Sequence, residues 1–146
     1  MSYPETFIAP MRRDLTQYGV EEARTPEDVD RILNSTDGTV LMVINAVCGC
    51  AAGKARPAIG MALKHRAVPD RAATVFAGAD IEATAHLREL LVGYPVSSPA
   101  MALFHQGKPV MMIHRSDIES NDPLQLTRML TEAFDQYCTK AEAAKA

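Results

Sequence analysis

Two of the chain's three cysteines stand one residue apart, in "VINAVCGCAAGKARPA" (residues 43–58). Cys48 and Cys50 follow an apolar run and precede a helical pattern. Thiolates at the start of a helix face free amide donors and the positive end of the helix dipole. Such surroundings lower a cysteine pKa from about 8.5 to roughly 3.5–7.5 and make the thiolate a nucleophile. The chemistry this spacing offers is therefore thiol–disulfide exchange. Bridged cysteines need Cα atoms roughly 4.4–6.8 Å apart, yet two residues along a regular helix turn side chains to nearly opposite sides. Cys48 is thus expected in the loop and Cys50 at the helix start, with Gly49 giving access to the sharp geometry. A disulfide closing so small a ring is expected to be strained and readily reduced. Lys54 and Arg56 lie within the first two helical turns and could add positive potential, or could be ordinary solvated side chains.

Two other readings of the pair stay open. The cysteines could be small buried packing residues. They could also bind a metal, but a structural zinc needs about four ligands. Beyond Cys48 and Cys50 the chain offers Cys138 and four histidines, His65, His86, His105 and His114, with no second close pair. Cys138 falls on the last helix as a packing residue, and the eight methionines fall on core faces.

The elements that must position the pair follow from hydrophobic periodicity. Phe7, Ile8, Met11, Leu15 and Tyr18 recur at helical spacing, with Gly19 as a stop. Thr25 is an N-cap and Pro26 suits the first helical position, with Val29, Ile32 and Leu33 inward. "TVLMVINA" (39–46) predicts a strand buried on both faces. The helix after the cysteines turns Ala55, Ile59, Ala62 and Leu63 inward, and Pro57 must kink it. "ATVFAG" (73–78) predicts a second strand, followed by a helix capped by Asp80 with Leu87, Leu90 and Leu91 inward. "AMALFH" and "PVMMIH" form a hairpin around "QGK", and Asn121 or Asp122 caps a last helix that begins at Pro123.

After two leading helices the order is strand, helix, strand, helix, strand, strand, helix. Early alternation gives parallel crossovers and the hairpin adds antiparallel strands. This is an α/β chain with the element order of the thioredoxin fold: a mixed central sheet flanked by helices, with two extra N-terminal helices. In that fold a redox cysteine pair sits where Cys48 and Cys50 fall. Ser98-Pro99 precedes the third core strand, where proline is permitted. In thioredoxin folds this proline is cis and faces the cysteines, and the backbone before it is free to pair with a substrate.

At 146 residues the chain is expected to be one domain, 1–146, with a helical extension over 1–35 and a frayed tail over 139–146. The apolar fraction is 47%, the charged fraction 23% and the net charge −3, so no basic patch argues for nucleic acid. Neither a signal peptide nor a membrane-length apolar run appears. With reduced thiols, the expected compartment is the cytoplasm.

Five segments together carry a resemblance. They are "PMRRDLT" (10–16), "CGCAAGKARPA" (48–58), "TVFAGAD.EAT" (74–84), "SSPAMAL" (97–103) and "AFDQYC" (133–138). The chain resembles the bacilliredoxin family, thioredoxin-like proteins with a Cys-Gly-Cys site, over almost its whole length. Ala46 stands where the family pattern has serine, a change that leaves the thiols untouched. The resemblance implies removal of bacillithiol from mixed disulfides on S-bacillithiolated client proteins, with weak general disulfide reductase or isomerase activity. It implies Cys48 as attacking cysteine, Cys50 as resolving cysteine, and Gly49, Ser98 and cis Pro99 as the substrate-binding surface. It implies bacillithiol as a co-substrate, with no bound cofactor and no metal. A general disulfide isomerase, or a non-catalytic metal-binding or docking module, is the alternative.

Overall fold

The computed structural model describes residues 2–138, so the expected frayed tail lies outside the described residues. The elements run α1 (Glu5–Thr16), β1 (Glu21–Glu22), α2 (Pro26–Leu33), β2 (Thr39–Asn45), a π-helical turn (Ala51–Ala55) continuing into α3 (Arg56–Ala62), β3 (Arg71–Phe76), α4 (Ile81–Leu90), β4 (Ala100–His105), β5 (Lys108–Ile113), α5 (Arg115–Ser120) and α6 (Pro123–Tyr137). The five strands form one sheet in the order β1-β3-β2-β4-β5. β3 is parallel to both β1 and β2, whereas β4 runs antiparallel to β2 and β5.

Every residue of β2 is buried, as its unbroken apolar run requires for a central strand covered on both faces. Side chains alternate across a strand. Leu41 and Val43 therefore join Met101, Leu103, Ile59 and Phe134 on the face covered by α3, α5 and α6. Val40, Met42 and Ile44 join Val75, Phe104, Ile32 and Leu87 on the face covered by α2 and α4. The caps read from sequence are present at Thr25 and Asp122, each in a reciprocal capping box. The β4–β5 turn is Gln106-Gly107, both at positive φ (53° and 79°), the conformation of a two-residue hairpin that matches strand twist.

Four features depart from the sequence reading. β1 was not expected. It is two glutamates long and turns α2 from an appended helix into the connection between two strands of the sheet. The six-residue α5 was also not expected. On α1, Phe7 is exposed and the buried face is Ile8, Arg12 and Leu15, while Tyr18 falls beyond the helix end and is exposed too. Asp80 stands at the start of α4 but makes no side-chain cap. Its carboxylate instead accepts from both terminal nitrogens of Arg12, at 2.9 and 2.8 Å, and from the Phe76 N–H. That buried pair, with Arg12 also 2.9 Å from Glu5, fastens α1 to the carboxyl end of β3.

Candidate functional site: a dithiol at the end of the central strand

β2 ends at Asn45, and three residues later the chain begins to coil. Asn45 is buried and serves three segments at once. Its Nδ2 donates to the Met11 carbonyl of α1, while its Oδ1 accepts from the Ala46 N–H and from Arg56 beyond the cysteines. The turn that carries the thiols is thereby tied to the elements before and after it.

Cys48 lies in the bend and Cys50 in the first helical turn, as expected. The helix then widens to π spacing over Ala51–Ala55 before returning to α-helix at Arg56. The Arg56 N–H reaches the Ala51 carbonyl, five residues back, immediately before Pro57, which has no N–H to donate. The kink expected at Pro57 is thus resolved as a π turn next to the dithiol.

The two sulfurs are 2.8 Å apart, as a pair of free thiols. Their environments differ in sign. Burial pushes the Cys48 thiol up, but the Cys50 thiol, the Ala51 N–H, the Arg115 guanidinium and the Cys50 N–H outweigh it and hold Cys48 below its usual value. Burial pushes Cys50 up, and the neighbouring Cys48 pushes it further. These directions favour the thiolate on Cys48 with Cys50 as its donor. Cys48 opens onto a cleft, whereas Cys50 leans on the core formed by α3 and α6.

Gly49 is exposed, and a side chain there would meet nothing within 4 Å. Its φ lies outside the positive region, so the reduced turn does not require glycine; its missing side chain leaves the surface between the thiols bare. The Ser98-Pro99 bond is cis, and Ser98 lines the same cleft as Cys48. The Ser98 carbonyl, expected to be free, accepts from Arg115 Nη1 at 3.2 Å, and the Arg115 N–H bonds the Ser97 hydroxyl.

Arg115 is the site residue that sequence reasoning missed. It opens α5, and no spacing motif links it to Cys48. Lys54 plays another part than the one considered for it, whereas Arg56 does bring its charge to bear on Cys48, from a buried rather than a solvated position. Lys54 bonds the Glu119 carbonyl at 2.8 Å, and Arg56 is held against Asn45 and Asp14. Cys138 is buried and hydrogen-bonded to Thr39, and burial pushes its thiol up, as suits a packing residue. Among the described residues no three His, Cys, Asp or Glu side chains gather to hold a metal. His65 and His86 each pair with a surface aspartate. No described helix is long and apolar enough to cross a membrane.

The cleft beside Cys48 has a volume of about 320 Å³. Tyr3, Gly78, Arg88, Ser98 and Arg115 form its polar walls, with Ala46, Val47 and Ala77 between them. Gly78 sits at φ 86° under the Tyr3 ring, where a Cβ would lie 2.5 Å from the ring edge. Tyr3 and Gly78 also share a backbone hydrogen bond. The N-terminal segment thus builds part of the wall.

Known proteins share this architecture. A profile of the disulphide isomerase family matches residues 3–138. A bacilliredoxin of Koribacter versatilis is 50% identical over 143 residues, spanning 98% of this chain and 99% of that protein. A bacilliredoxin of Salinibacter ruber is 51% identical over 146 residues (97% and 85% of the two chains). One from Halalkalibacterium halodurans is 48% identical over 136 residues (93% and 94%). Among solved structures, the thioredoxin of Malassezia sympodialis aligns with a TM-score of 0.55 at 14% identity, covering 79% of this chain and 90% of that one.

Proposed function

The chain belongs to the bacilliredoxin family, whose members do thiol–disulfide chemistry on a thioredoxin-like fold, and on that premise we propose that it removes bacillithiol from mixed disulfides on oxidised proteins. One observation carries the assignment of roles: two sulfurs in contact whose pKa values move in opposite directions, Cys48 down and Cys50 up.

The Cys48 thiolate attacks the bacillithiol sulfur of the mixed disulfide. A bond forms between Cys48 and bacillithiol, the client's S–S bond breaks, and the client thiolate leaves to take a proton from water. The adduct clears by either of two routes. Cys50 can attack the Cys48 sulfur, releasing bacillithiol and leaving a Cys48–Cys50 disulfide. Alternatively, a second bacillithiol attacks the adduct, leaving the symmetrical bacillithiol disulfide and a reduced Cys48. Cys50, held protonated against the core, is suited to the later step. The bare Gly49 and the Ser98-Pro99 edge supply the surface on which the client docks. The reaction belongs in a reducing compartment, the cytoplasm.

The test is to mix Cys48→Ser and Cys50→Ser proteins with an S-bacillithiolated protein and locate the adduct by mass spectrometry. Cys50→Ser should carry bacillithiol on Cys48, and Cys48→Ser should carry none. An adduct on Cys50 of Cys48→Ser, with none on Cys50→Ser, reverses the roles. No transfer by either protein, with transfer of electrons to ordinary disulfides intact, would favour a general disulfide reductase or isomerase.

A further inference from the structure

Arg56 is a buried cation whose charge is loosely matched. It is as buried as Arg12, at 4% exposure. Arg12 meets the buried Asp80 through two hydrogen bonds, of 2.9 and 2.8 Å. The carboxylate nearest Arg56, Asp14 of α1, stands 3.4 Å from Nε and is half exposed, and Nε itself makes no hydrogen bond. Nη1 reaches the neutral Asn45 Oδ1 at 3.3 Å. A guanidinium stays charged in a protein, so a buried and loosely paired one acts on whatever anion lies near. Burial works against the Arg56 charge, and two anions support it, the Asp14 carboxylate first and the Cys48 thiolate second. The placement agrees. The Asn45 Oδ1 that meets Arg56 also accepts from the Ala46 N–H, two residues before Cys48. The Arg56 N–H closes the π turn that starts directly after Cys50. Asn45 in turn bonds the Met11 carbonyl, one turn before Asp14 on α1. Both flanks of the dithiol turn are therefore fastened to α1, the leading flank by a neutral hydrogen bond and the trailing flank by a charge.

We propose that the Asp14–Arg56 pair sets the reactivity of Cys48 from inside the fold: Arg56 is a positioning residue whose charge is divided between the Cys48 thiolate and Asp14, so that α1 limits how far the thiolate is stabilised. The inference deepens the proposed function and rests on it, because it takes Cys48 as the attacking thiol. A limit of this kind has a chemical use. Lowering a thiol's pKa supplies more thiolate but makes each thiolate a weaker nucleophile, and the best attacking thiol has a pKa near the ambient pH. Arg56 moves Cys48 toward the thiolate, and Asp14 draws off part of that charge before the sulfur becomes too stable to attack. The other titratable groups about Cys48 are Cys50 beside it, Arg115 of α5 with Glu119 paired to it, and Tyr3 and Arg88 across the cleft. About Arg56 they are Asp14 and, lining the same small cavity, Tyr18.

The experiment is the pH profile of Cys48 alkylation by iodoacetamide in the reduced full chain, with the labelled sulfur located by fragmentation in the mass spectrometer. Arg56→Gln should move the Cys48 inflection up by roughly 0.5–1 pH unit, so labelling below it slows by roughly three- to tenfold. Arg56→Lys should return part of that shift, because the charge returns. Asp14→Asn keeps the shape of the side chain and removes its charge, so it should move the inflection down and speed labelling by roughly twofold. A loosened α1 would instead let Cys48 drift up toward the ordinary thiol value in both variants. Opposite signs for the two partners of one ion pair therefore separate a charge effect from a structural one. The Arg56→Gln shift should also persist at roughly 1 M salt, since buried charges are screened little. An unmoved inflection in Arg56→Gln, or an upward or absent shift in Asp14→Asn, would overturn the inference and leave the proposed function standing. If Arg56→Gln does not fold, Asp14→Asn decides alone, its side chain being half exposed. If Cys50 labels before Cys48 in the unaltered protein, the roles given under the proposed function fail and this inference fails with them.

Discussion

At the residue scale, the asymmetry between the two thiols depends on one short contact. Cys48 is held down partly by the hydrogen bond it accepts from Cys50, after burial has pushed it the other way. Removing that donor should raise the pH at which Cys48 becomes a thiolate. In Cys50→Ala, the rate of Cys48 alkylation should therefore rise with pH through a higher inflection than in the unaltered protein. Cys50→Ser keeps an O–H donor and should shift less. The check is a pH series of iodoacetamide rates read by mass spectrometry, and an unmoved inflection in Cys50→Ala would contradict the contact. Sequence alone located these two residues, because a close cysteine pair at a helix start is a local pattern. In the reduced turn Gly49 stays outside the positive-φ region, and a Cβ there would meet nothing within 4 Å. A sequence offers no means of knowing which φ the turn adopts.

At the element scale, α5 brings a positive charge to the thiols and fixes the Ser97–Ser98 backbone before cis Pro99. Replacing Arg115 by Gln removes the charge that favours the Cys48 thiolate. The Cys48 inflection should move up, and alkylation at pH 7 should slow by roughly two- to fivefold, the size expected for an exposed charge acting on a nearby group. Arg115→Lys should restore most of the inflection, because the charge returns. A loss of rate with no change of inflection would assign Arg115 a purely structural part. This helix was illegible because six residues of mixed polarity, Arg115–Ser120, carry no periodic apolar signal. β1 was illegible for the same reason, since two glutamates gain strand geometry only by pairing with Ala73 and Thr74. By contrast, β2, the β4–β5 hairpin and α6 were legible. An unbroken apolar run, a Gln-Gly turn and an Asp-Pro start each state their structure locally. Pro57 announced a break in the helix, but not its form: the Arg56 N–H closes a π turn on the Ala51 carbonyl, and the Arg56 side chain meets Asn45 only in the folded chain.

At the scale of the whole molecule, the dithiol stands where four parts of the chain meet: the end of β2, the start of α3, the loop before β4 and the N-terminal segment with α1. That last part is held by the buried Arg12–Asp80 pair together with the Asn45–Met11 and Tyr3–Gly78 hydrogen bonds. Arg12→Met leaves Asp80 charged and buried, so stability should fall by about 3 kcal/mol or more. Urea unfolding measures this, and a loss under about 1 kcal/mol would show that the segment is held by other contacts. The sequence placed Arg12 on a helix and Asp80 at a cap, yet it could not pair them, because they meet only once α1 docks on β3. The account's central claim is that folding divides the two thiols into a ready nucleophile and a protonated reserve. The most direct measurement is the pH dependence of alkylation of each thiol, resolved by mass spectrometry in the unaltered, reduced protein. A depressed pKa makes Cys48 a thiolate at lower pH, so its labelling should climb first and level off while Cys50 is still largely unlabelled. Equal inflections for the two thiols, or Cys50 labelled first, would contradict the account.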